Sequence, residues 1–422
     1  MHFWVRFKAA ENGQALAAFL LGKCYIHGTG VPENQQEGIK WYMTAAEKGL
    51  ARAQYRLGVI YFQGTGVPRD IKKSAEWFHK AGEQGHAKAH NSLGDLYCQG
   101  FGVQKNEKEA VKWYRMAAEQ DEVMSQYRLG YMNLVGTGVP QNTNEAVKWL
   151  GKAAKKGHIE AQFSLGVCYG TGKGGVTKDY RRATEWYSKA ALQGHVQAQF
   201  NLGNFYYEGR GVPKDNKKAA YWLEKAADQG DADAQYLLGR IYGLNEGGLK
   251  DDTEAAKWYA RAAEQGHAKA QFMLGLYYDT GLGLSKNTEE AFKWYMKAAE
   301  QGHAKAQFML GDAYNYGKTV PKDSKKAAKW LAMAAEQGNA EAQIQLGILF
   351  YQGEGVPKDV NKAAEWFLKS AQQGNSDAQY FVGLFYDTGI GGLPKSSHEA
   401  RKWMKKAAAQ GHKKAQKYLE GN

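Results

Sequence analysis

The sequence predicts an all-α fold, an α-solenoid of about eleven antiparallel helix hairpins with a period of 36 residues. Two observations support this. Eleven of the 12 tryptophans recur every 36 residues, with two steps of 37, and a glycine-rich turn recurs with the same period. A hairpin of this length cannot bury its apolar face alone, so neighbouring hairpins must stack. The recurring tryptophans are Trp41, Trp77, Trp113, Trp149, Trp186, Trp222, Trp258, Trp294, Trp330, Trp366 and Trp403.

The first helix of each hairpin is predicted from its apolar spacing. In the eighth unit, residues 267–278 place Ala270, Leu274 and Tyr278 at i, i+4 and i+8, on the helix face that should contact the second helix. Gly275 follows the leucine, and a glycine stands there in all eleven units. Because glycine inside a helix costs about 1 kcal/mol, its recurrence predicts a close approach of two helices.

A turn and a second helix complete each unit. Gly64-Thr-Gly-Val-Pro68 has the composition of a turn, and all seven prolines occupy this slot or a stretched version of it. The second helix has an apolar face that includes Trp294, and a glycine such as Gly302 should end it in the left-handed conformation. An Asp or Asn two residues beyond the proline slot is suited to cap this helix. The predicted caps are Asn34, Asp70, Asp215, Asn287 and Asp359.

These segments resemble the Sel-1-like repeat family, a relative of the tetratricopeptide repeats. Residues 53–85 carry the pattern, with Leu57-Gly-Val-Ile-Tyr61, the glycine-rich turn and the Trp77 helix that ends at Gly85, and it recurs eleven times. The resemblance implies a right-handed superhelix of antiparallel helix pairs that acts as an adaptor in protein assembly. It implies no particular partner.

We interpret residues 1–422 as a single solenoid, because no linker or low-complexity tract interrupts the period. Residues 1–13 are an N-terminal partial helix, residues 14–411 hold the eleven repeats, and residues 412–422 are a C-terminal capping helix. Helices at the ends of a stack shield its apolar faces from water and from other stacks, so we expect a monomer.

The location is predicted from two absences in the sequence. No stretch is apolar enough to span a membrane, and the first residues lack the apolar region of a signal peptide. We therefore expect a cytoplasmic protein; a periplasmic or secreted location is the alternative if an upstream signal peptide is missing. Cys24, Cys98 and Cys168 have no cysteine partner in the paired helix, which disfavours a disulfide framework.

Variation among the repeats indicates the binding surface, since positions that are alike in every unit hold the scaffold. Relative to the recurring glycine, the residues one, four and five places later and the residue three places earlier lie on one helical face, away from the tryptophan helix. We call this the groove face and expect it to line the concave groove. Its aromatic and polar side chains suit peptide or protein recognition, although the aromatic column three places before the glycine can equally pack between adjacent first helices. The candidate partner-binding residues are Tyr55, Phe62, Asp95, Tyr131, Asn204, Tyr207, Arg240, Asp279, Asp312, Tyr316, Tyr351 and Asp387.

The net charge of +13 raises the alternative of nucleic-acid or other polyanion binding through a basic convex face. The residue before the tryptophan is lysine in seven units, and the residue three places after it is Lys or Arg in eight. The groove positions that follow the glycine carry only Lys23 and Arg240 against five carboxylates. A neutral to mildly acidic groove disfavours a polyanion bound there.

Histidines and glycine-rich loops do not form a convincing catalytic or metal site. Six histidines follow the helix-ending glycine, where other units have Asp or Asn, so we predict that they cap the next helix. His86 and His90, at i and i+4 with His79 nearby in sequence, could form a metal pair, but two of them are ordinary occupants or substitutes at repeat positions, and no carboxylate or thiol completes a ligand set. Residues 170–175 follow a helix rather than a strand, which disfavours a phosphate loop, and two common hydrolase motifs are absent.

The fourth repeat departs from the pattern. Asp121 takes the position of the helix-ending glycine, and Asn133 stands where a tyrosine is expected. A non-glycine residue in the left-handed conformation costs up to about 1 kcal/mol, and an asparagine forfeits aromatic burial. We expect the junction of the third and fourth repeats to open before others and to serve as a hinge or as a partner contact.

The sequence therefore predicts a non-enzymatic scaffold or adaptor, without a cofactor, that binds a peptide or protein in its concave groove. A nucleic-acid binder would instead use the lysines of the second helices and would show steep salt dependence. An enzyme would need one site unlike the other repeats, and we find none in the sequence.

Overall fold

The computed structural model describes residues 2–244 and 248–421, apart from the side chains of His2 and Phe3 and the solvent exposure of Gly174. Within these residues the chain forms 24 α-helices, a short 3-10 helix at Lys173–Gly175 and no β-strand. The predicted all-α repeat fold is therefore confirmed. The helices group into two compact units, residues 1–214 and 215–422. The interpretation of the whole chain as one solenoid stays a prediction.

Nearly all helices have 12 or 13 residues, and from α2 onward even-numbered helices are the first helices of hairpins. The first unit contains α1 (His2–Glu11), α2 (Ala15–His27), α3 (Gln35–Glu47), α4 (Ala51–Gln63), α5 (Ile71–Glu83), α6 (Ala87–Gln99), α7 (Glu107–Glu119), α8 (Val123–Val135), α9 (Thr143–Lys155), α10 (Ile159–Thr171), α11 (Tyr180–Leu192) and α12 (Val196–Glu208). The second unit contains α13 (Asn216–Ala227), α14 (Ala232–Gly243), α15 (Asp252–Glu264), α16 (Ala268–Thr280), α17 (Thr288–Glu300), α18 (Ala304–Tyr316), α19 (Ser324–Glu336), α20 (Ala340–Gln352), α21 (Val360–Gln372), α22 (Ser376–Thr388), α23 (Ser397–Ala409) and α24 (Lys413–Gly421).

The two helices of a hairpin touch at the recurring glycine. A Cβ atom on Gly58 would lie 2.5 Å from the ring of Phe78, and one on Gly275 would lie 2.7 Å from the ring of Tyr295. In these two hairpins the residue that follows the tryptophan thus fills the space that a side chain would need. This contact explains the glycine and confirms the predicted close approach.

The apolar stripe of the first helix lies on the predicted face, and a second tyrosine contacts the preceding hairpin. Ala270 and Leu274 are buried as expected, but the buried tyrosine is Tyr277, and Tyr278 is only half-buried. Seven residues are close to two full turns of an α-helix, whereas eight overshoot them by most of a right angle. The ring of Tyr277 faces α15, the second helix of the preceding hairpin, where its centroid lies 5.3 Å from that of Tyr259. Tyr278 packs against the buried cluster around Tyr295, which lies on the second helix of its own hairpin.

The tryptophans join neighbouring hairpins, as predicted. Trp113 packs against a buried cluster that contains Phe78 of the preceding hairpin and Leu93 of its own hairpin. In the second unit, Trp294 packs in the same way against the cluster around Tyr259. Since a buried aromatic side chain removes on the order of 150–250 Å² from water, this ladder supplies much of the cohesion between repeats.

A chain of buried glutamines forms a second link between repeats, which the sequence analysis did not identify. Gln271 donates to the carbonyl of Ala263 in the preceding hairpin at 3.1 Å and accepts from Gln301 of its own hairpin at 2.7 Å. In the third repeat His90 replaces this glutamine; its Nε2–H donates to the Gly82 carbonyl at 2.8 Å. These bonds satisfy carbonyls at helix ends that no helical N–H can reach.

The predicted caps are confirmed. In six repeats the histidine Nδ1 accepts from the backbone N–H three residues later at 3.1–3.3 Å, as the side-chain oxygens of Asp231, Asn339 and Asn375 do elsewhere. Ten helix-ending glycines have positive φ. The capping histidines are His86, His158, His195, His267, His303 and His412.

The irregular fourth repeat replaces the contacts that it loses. Asp121 adopts the left-handed conformation with φ of 66°, as predicted, and its carboxylate accepts from Gln126 at 3.0 Å and pairs with Lys156 at 2.9 Å. The Glu122 carboxylate caps α8 by accepting a hydrogen bond from the Ser125 backbone N–H at 2.7 Å. The side-chain amide of buried Asn133 donates to the Leu129 carbonyl at 2.8 Å. Helix α8 therefore keeps its full length of 13 residues.

Short helices lie at both ends of the chain. In α1, Ala10 is buried and the Phe7 ring lies 5.8 Å from that of Trp41; in α24, Ala415 is buried. No helix in the described part of the chain is both long and apolar enough to cross a membrane. All three cysteines are free thiols.

Candidate functional site

The aromatic column three places before the glycine packs between adjacent repeats. Candidate residue Tyr55 is half-buried, and its ring stacks on the capping His86 with centroids 4.7 Å apart. Packing between first helices, the alternative that the sequence left open for this column, is thus what the structure contains. The other stacked pairs are Tyr127 with His158, Phe163 with His195, Tyr236 with His267, Phe272 with His303 and Tyr380 with His412.

A cavity of about 420 Å³ in the first unit brings two other candidates together, Phe62 and Asp95. It lies among α4, α6, α8 and the turn that follows α6. Its apolar wall is formed by Val59, Phe62, Phe78, Leu96 and Phe101, and its polar wall by Gln63, Ser92, Asp95, Gln99 and Arg128. A cavity of this size and composition is typical of binding pockets, which are mostly apolar with a few convergent polar groups.

The polar wall of this cavity is an organised cluster. Asp95 pairs with Arg128 of the next repeat, and the Tyr114 hydroxyl donates to Asp95 at 2.6 Å. Burial raises the pKa of the Asp95 carboxyl, while the Tyr114 hydrogen bond and the Arg128 charge act in the opposite direction. Burial and the neighbouring Asp95 carboxylate also raise the pKa of Tyr114 strongly, so Tyr114 remains a hydrogen-bond donor.

Sequence reasoning missed the arginines of this surface. Arg128 and Arg56 stand two places before the recurring glycine, a column that the groove face did not include, yet Arg128 lines the cavity of Phe62 and Arg56 lines a neighbouring cavity of about 150 Å³. Positions two before and one after the glycine are three residues apart and hence share a helical face, so this signal was available. Together with this column, the groove face of the first four repeats carries Lys23, Arg56 and Arg128 against the single carboxylate of Asp95.

The remaining candidates of the first unit lie outside the cavity. Tyr131 on α8 is 48% exposed. Asn204 and Tyr207 on α12 are half-buried, and the Lys214 ammonium lies 5.2 Å from the centre of the Tyr207 ring.

In the second unit the candidates form separate local contacts. Asp312 pairs with Lys318 at 3.1 Å and accepts from Gln345 at 3.1 Å, next to the exposed ring of Tyr316. Asp387 accepts from the Tyr418 hydroxyl at 2.8 Å.

The other three candidates of this unit are Arg240 and Asp279, which are half-buried, and Tyr351, which is exposed. A cavity of about 380 Å³ lies among α20, α22 and α24. It contains none of the predicted residues.

The lysines of the second helices have local partners on their own helices. Lys293 lies 2.6 Å from Glu290, and five other lysines that precede a tryptophan are paired in the same way at 2.5–3.2 Å. The lysine three places after the tryptophan covers its ring, as Lys297 does with Trp294 at 3.8 Å. These contacts reduce the positive charge that this face offers to a polyanion.

The histidines that could have formed a metal site have other partners. His86 caps α6, His90 lies in the glutamine chain, and the His79 Nε2 lies 3.2 Å from the Tyr97 hydroxyl. Among the described residues no group of three or more His, Cys, Asp or Glu side chains is arranged to hold a metal ion.

Comparisons with known proteins give the repeat its family. The model of the Sel1 repeat matches eleven consecutive segments: residues 15–50, 51–86, 87–122, 123–158, 159–195, 196–231, 232–267, 268–303, 304–339, 340–375 and 376–412. No curated protein sequence matches the chain.

Solved structures with the same repeat are similar over much of the chain. A protective antigen of uropathogenic Escherichia coli strains that displays an SLR fold is 35% identical, with a TM-score of 0.89 over 99% of this chain and 90% of the antigen. A Sel1 repeat protein from Oxalobacter formigenes is 35% identical, with a TM-score of 0.60 over 74% of this chain and 90% of its own.

Proposed function

The chain belongs to the Sel1 repeat family, whose members are generally non-catalytic scaffolds for protein–protein interactions, and from this premise we propose that it binds a peptide or protein segment along its groove face. The observation that carries the proposal is the cavity of the first unit. It joins Phe62, Asp95 and Arg128 from three successive repeats.

The recurring and the variable positions of the repeat have different roles, and this difference supports the proposal. The glycines, tryptophans, caps and buried glutamines recur because they hold the stack, so they are not available to distinguish one partner from another. The groove face changes its chemistry from repeat to repeat and offers exposed rings such as Tyr316 and Tyr351. Exposed aromatic side chains with scattered polar groups are typical of protein interfaces, where a few of them contribute most of the binding energy.

The test is affinity purification of a partner with the full chain, repeated with groove variants. We expect Tyr207→Ala, Tyr316→Ala and Tyr351→Ala each to weaken binding by about 1–2 kcal/mol wherever that ring is a hot spot. The helical circular dichroism spectrum should not change, because none of these rings is fully buried.

The matched control is charge reversal on the second helix, with Lys293→Glu and Lys297→Glu. These lysines lie on the tryptophan helix and should leave partner affinity unchanged. If affinity were indifferent to all three tyrosines and abolished by the lysine reversals, the groove proposal would be wrong.

A further inference from the structure

Helix α8 presents an apolar stripe that other first helices lack. Met124, Tyr131 and Val135 are 40%, 48% and 46% exposed, and together with Arg128 they follow the i, i+4, i+7, i+11 spacing of one helical face. The position of Met124 is polar or charged in nine of the other ten repeats, the exception being Leu16. Exposed apolar side chains gathered on one face indicate an interaction surface, whereas isolated ones do not.

The stripe is continuous with the cavity of the first unit. Arg128 belongs to both, and Phe101, which is 45% exposed, forms the rim of the cavity from the turn after α6. The cavity volume of about 420 Å³ exceeds that of a single large side chain, so an apolar residue of a partner can enter it and contact Phe62 and Leu96. A second cavity shares Val59 and Gln63 with the first and extends the surface toward α2.

The charges along this surface favour one kind of occupant. The groove face and the column two places before the glycine carry three cations in the first four repeats, Lys23, Arg56 and Arg128, against the single carboxylate of Asp95. Asp95 is already paired with Arg128. Within the described residues Lys23 and Arg56 have no carboxylate within 4.0 Å, so their charge is available to a partner.

We propose that the groove face of repeats one to four binds an acidic peptide segment of a protein partner, with a large apolar side chain of that segment in the cavity beside Phe101 and a carboxylate facing Arg56. The proposal rests on the function proposed above and adds the chemistry of the partner. A basic segment is disfavoured, because it would bring like charges together at Arg56 and Lys23.

The test selects peptides from a displayed random dodecapeptide library on the full chain and measures the affinity of the enriched, fluorescein-labelled peptides by anisotropy. We expect enriched sequences that combine Asp or Glu with Phe, Leu or Trp. Their affinity should fall about tenfold or more with Arg56→Glu and with Phe101→Ala, and it should decrease as salt is raised. Both side chains are exposed, and circular dichroism checks that the variants fold.

Control variants in the second unit distinguish a failure of this inference from a failure of the proposed function. Lys305→Glu reverses an exposed cation on α18, and Tyr221→Ala removes an exposed ring of the tryptophan helix α13; neither should affect the acidic peptides. Enriched peptides that need Tyr316 and ignore Arg56 would overturn this inference and leave the proposed function standing. Peptides indifferent to every groove variant, or no enrichment at all, would overturn both. If sedimentation showed a dimer that Phe101→Ala dissociates, the occupant would be a second copy, and the acidic-segment proposal would be wrong.

Discussion

Helices α8 and α18 occupy the same place in their repeats but present different surfaces. Leu129 and Gly130 in α8 and Leu310 and Gly311 in α18 are buried at equivalent positions against the second helix. The two helices therefore share one scaffold. This holds even though Asp121 replaces the helix-ending glycine that normally precedes the first helix of a repeat.

On the opposite face the two helices diverge. The four positions that read Met124, Arg128, Tyr131 and Val135 in α8 read Lys305, Met309, Asp312 and Tyr316 in α18. One face is apolar with a cation, and the other mixes a cation, a carboxylate and two apolar groups. The comparison teaches that packing and recognition are encoded by different columns of one helix, so either can change without the other.

The largest expected effect on stability is at the recurring tryptophans, which pack neighbouring hairpins together. Trp149→Ala should lower the free energy of unfolding by about 3–5 kcal/mol. The Trp149 side chain is only 3% exposed, and its Nε1–H donates a hydrogen bond to the Glu145 carboxylate at 2.9 Å. Trp330→Ala should cost less, since Trp330 is half-buried in the equivalent slot of the ninth repeat. Urea unfolding followed by circular dichroism measures both, and Trp4→Ala, at an exposed ring, is the control with little expected change. If both substitutions lowered the free energy of unfolding equally, the burial of each tryptophan would not determine its contribution to stability.

A smaller effect is expected at the recurring glycine, where the scaffolds of α8 and α18 can be compared directly. A Cβ atom on Gly130 would lie 2.8 Å from Leu150 Cγ, and one on Gly311 would lie 2.6 Å from Leu331 Cγ. Alanine at either position should cost about 1–3 kcal/mol through overpacking. Gly151→Ala is the control, because a Cβ there meets nothing within 4 Å and should stabilise its helix by about 0.5–1 kcal/mol. A loss at only one of the two glycines would break the claim of a shared scaffold.

The histidine caps predict a modest dependence of stability on pH. Burial lowers the pKa of His158 and of His303. Because the folded pKa lies below the unfolded value of about 6.5, the fold favours the neutral ring; this stability is fully present above that pH and is lost as pH falls through the folded pKa. His158→Asn and His303→Asn, which copy the natural cap Asn339, should each flatten the loss of stability between about pH 7 and pH 5. Unchanged pH profiles would mean that the caps do not titrate in this range.

The smallest expected effect concerns the junction of the third and fourth repeats. The sequence predicts that residues 119–135 open before residues 264–280, whereas the substitute contacts of Asp121 and Asn133 predict nearly equal protection. Amide hydrogen exchange of the two stretches measures the difference. Much faster exchange in residues 119–135 would restore the weak-junction interpretation and with it the possible hinge.

The sequence predicted the fold well because its signals are local. Helix faces, turns, caps and the glycine contact all arise within one repeat. Because the repeat occurs eleven times, a departure in one copy does not obscure the common pattern. One omission has a local cause too: the column of Arg56 and Arg128, two places before the recurring glycine, was left out of the groove face.

By itself the sequence determined the helix pairs, their caps and the identity of the packing columns, since each depends on the spacing of residues along one hairpin. Only the tertiary structure decided that Phe62, Phe101 and Arg128 border one cavity and that Gln271 links two hairpins. The cavity residues lie one to two repeats apart in the sequence, and their distance depends on how far each hairpin is rotated and shifted against the next. Many apolar contacts together set that rotation, and no single motif specifies it.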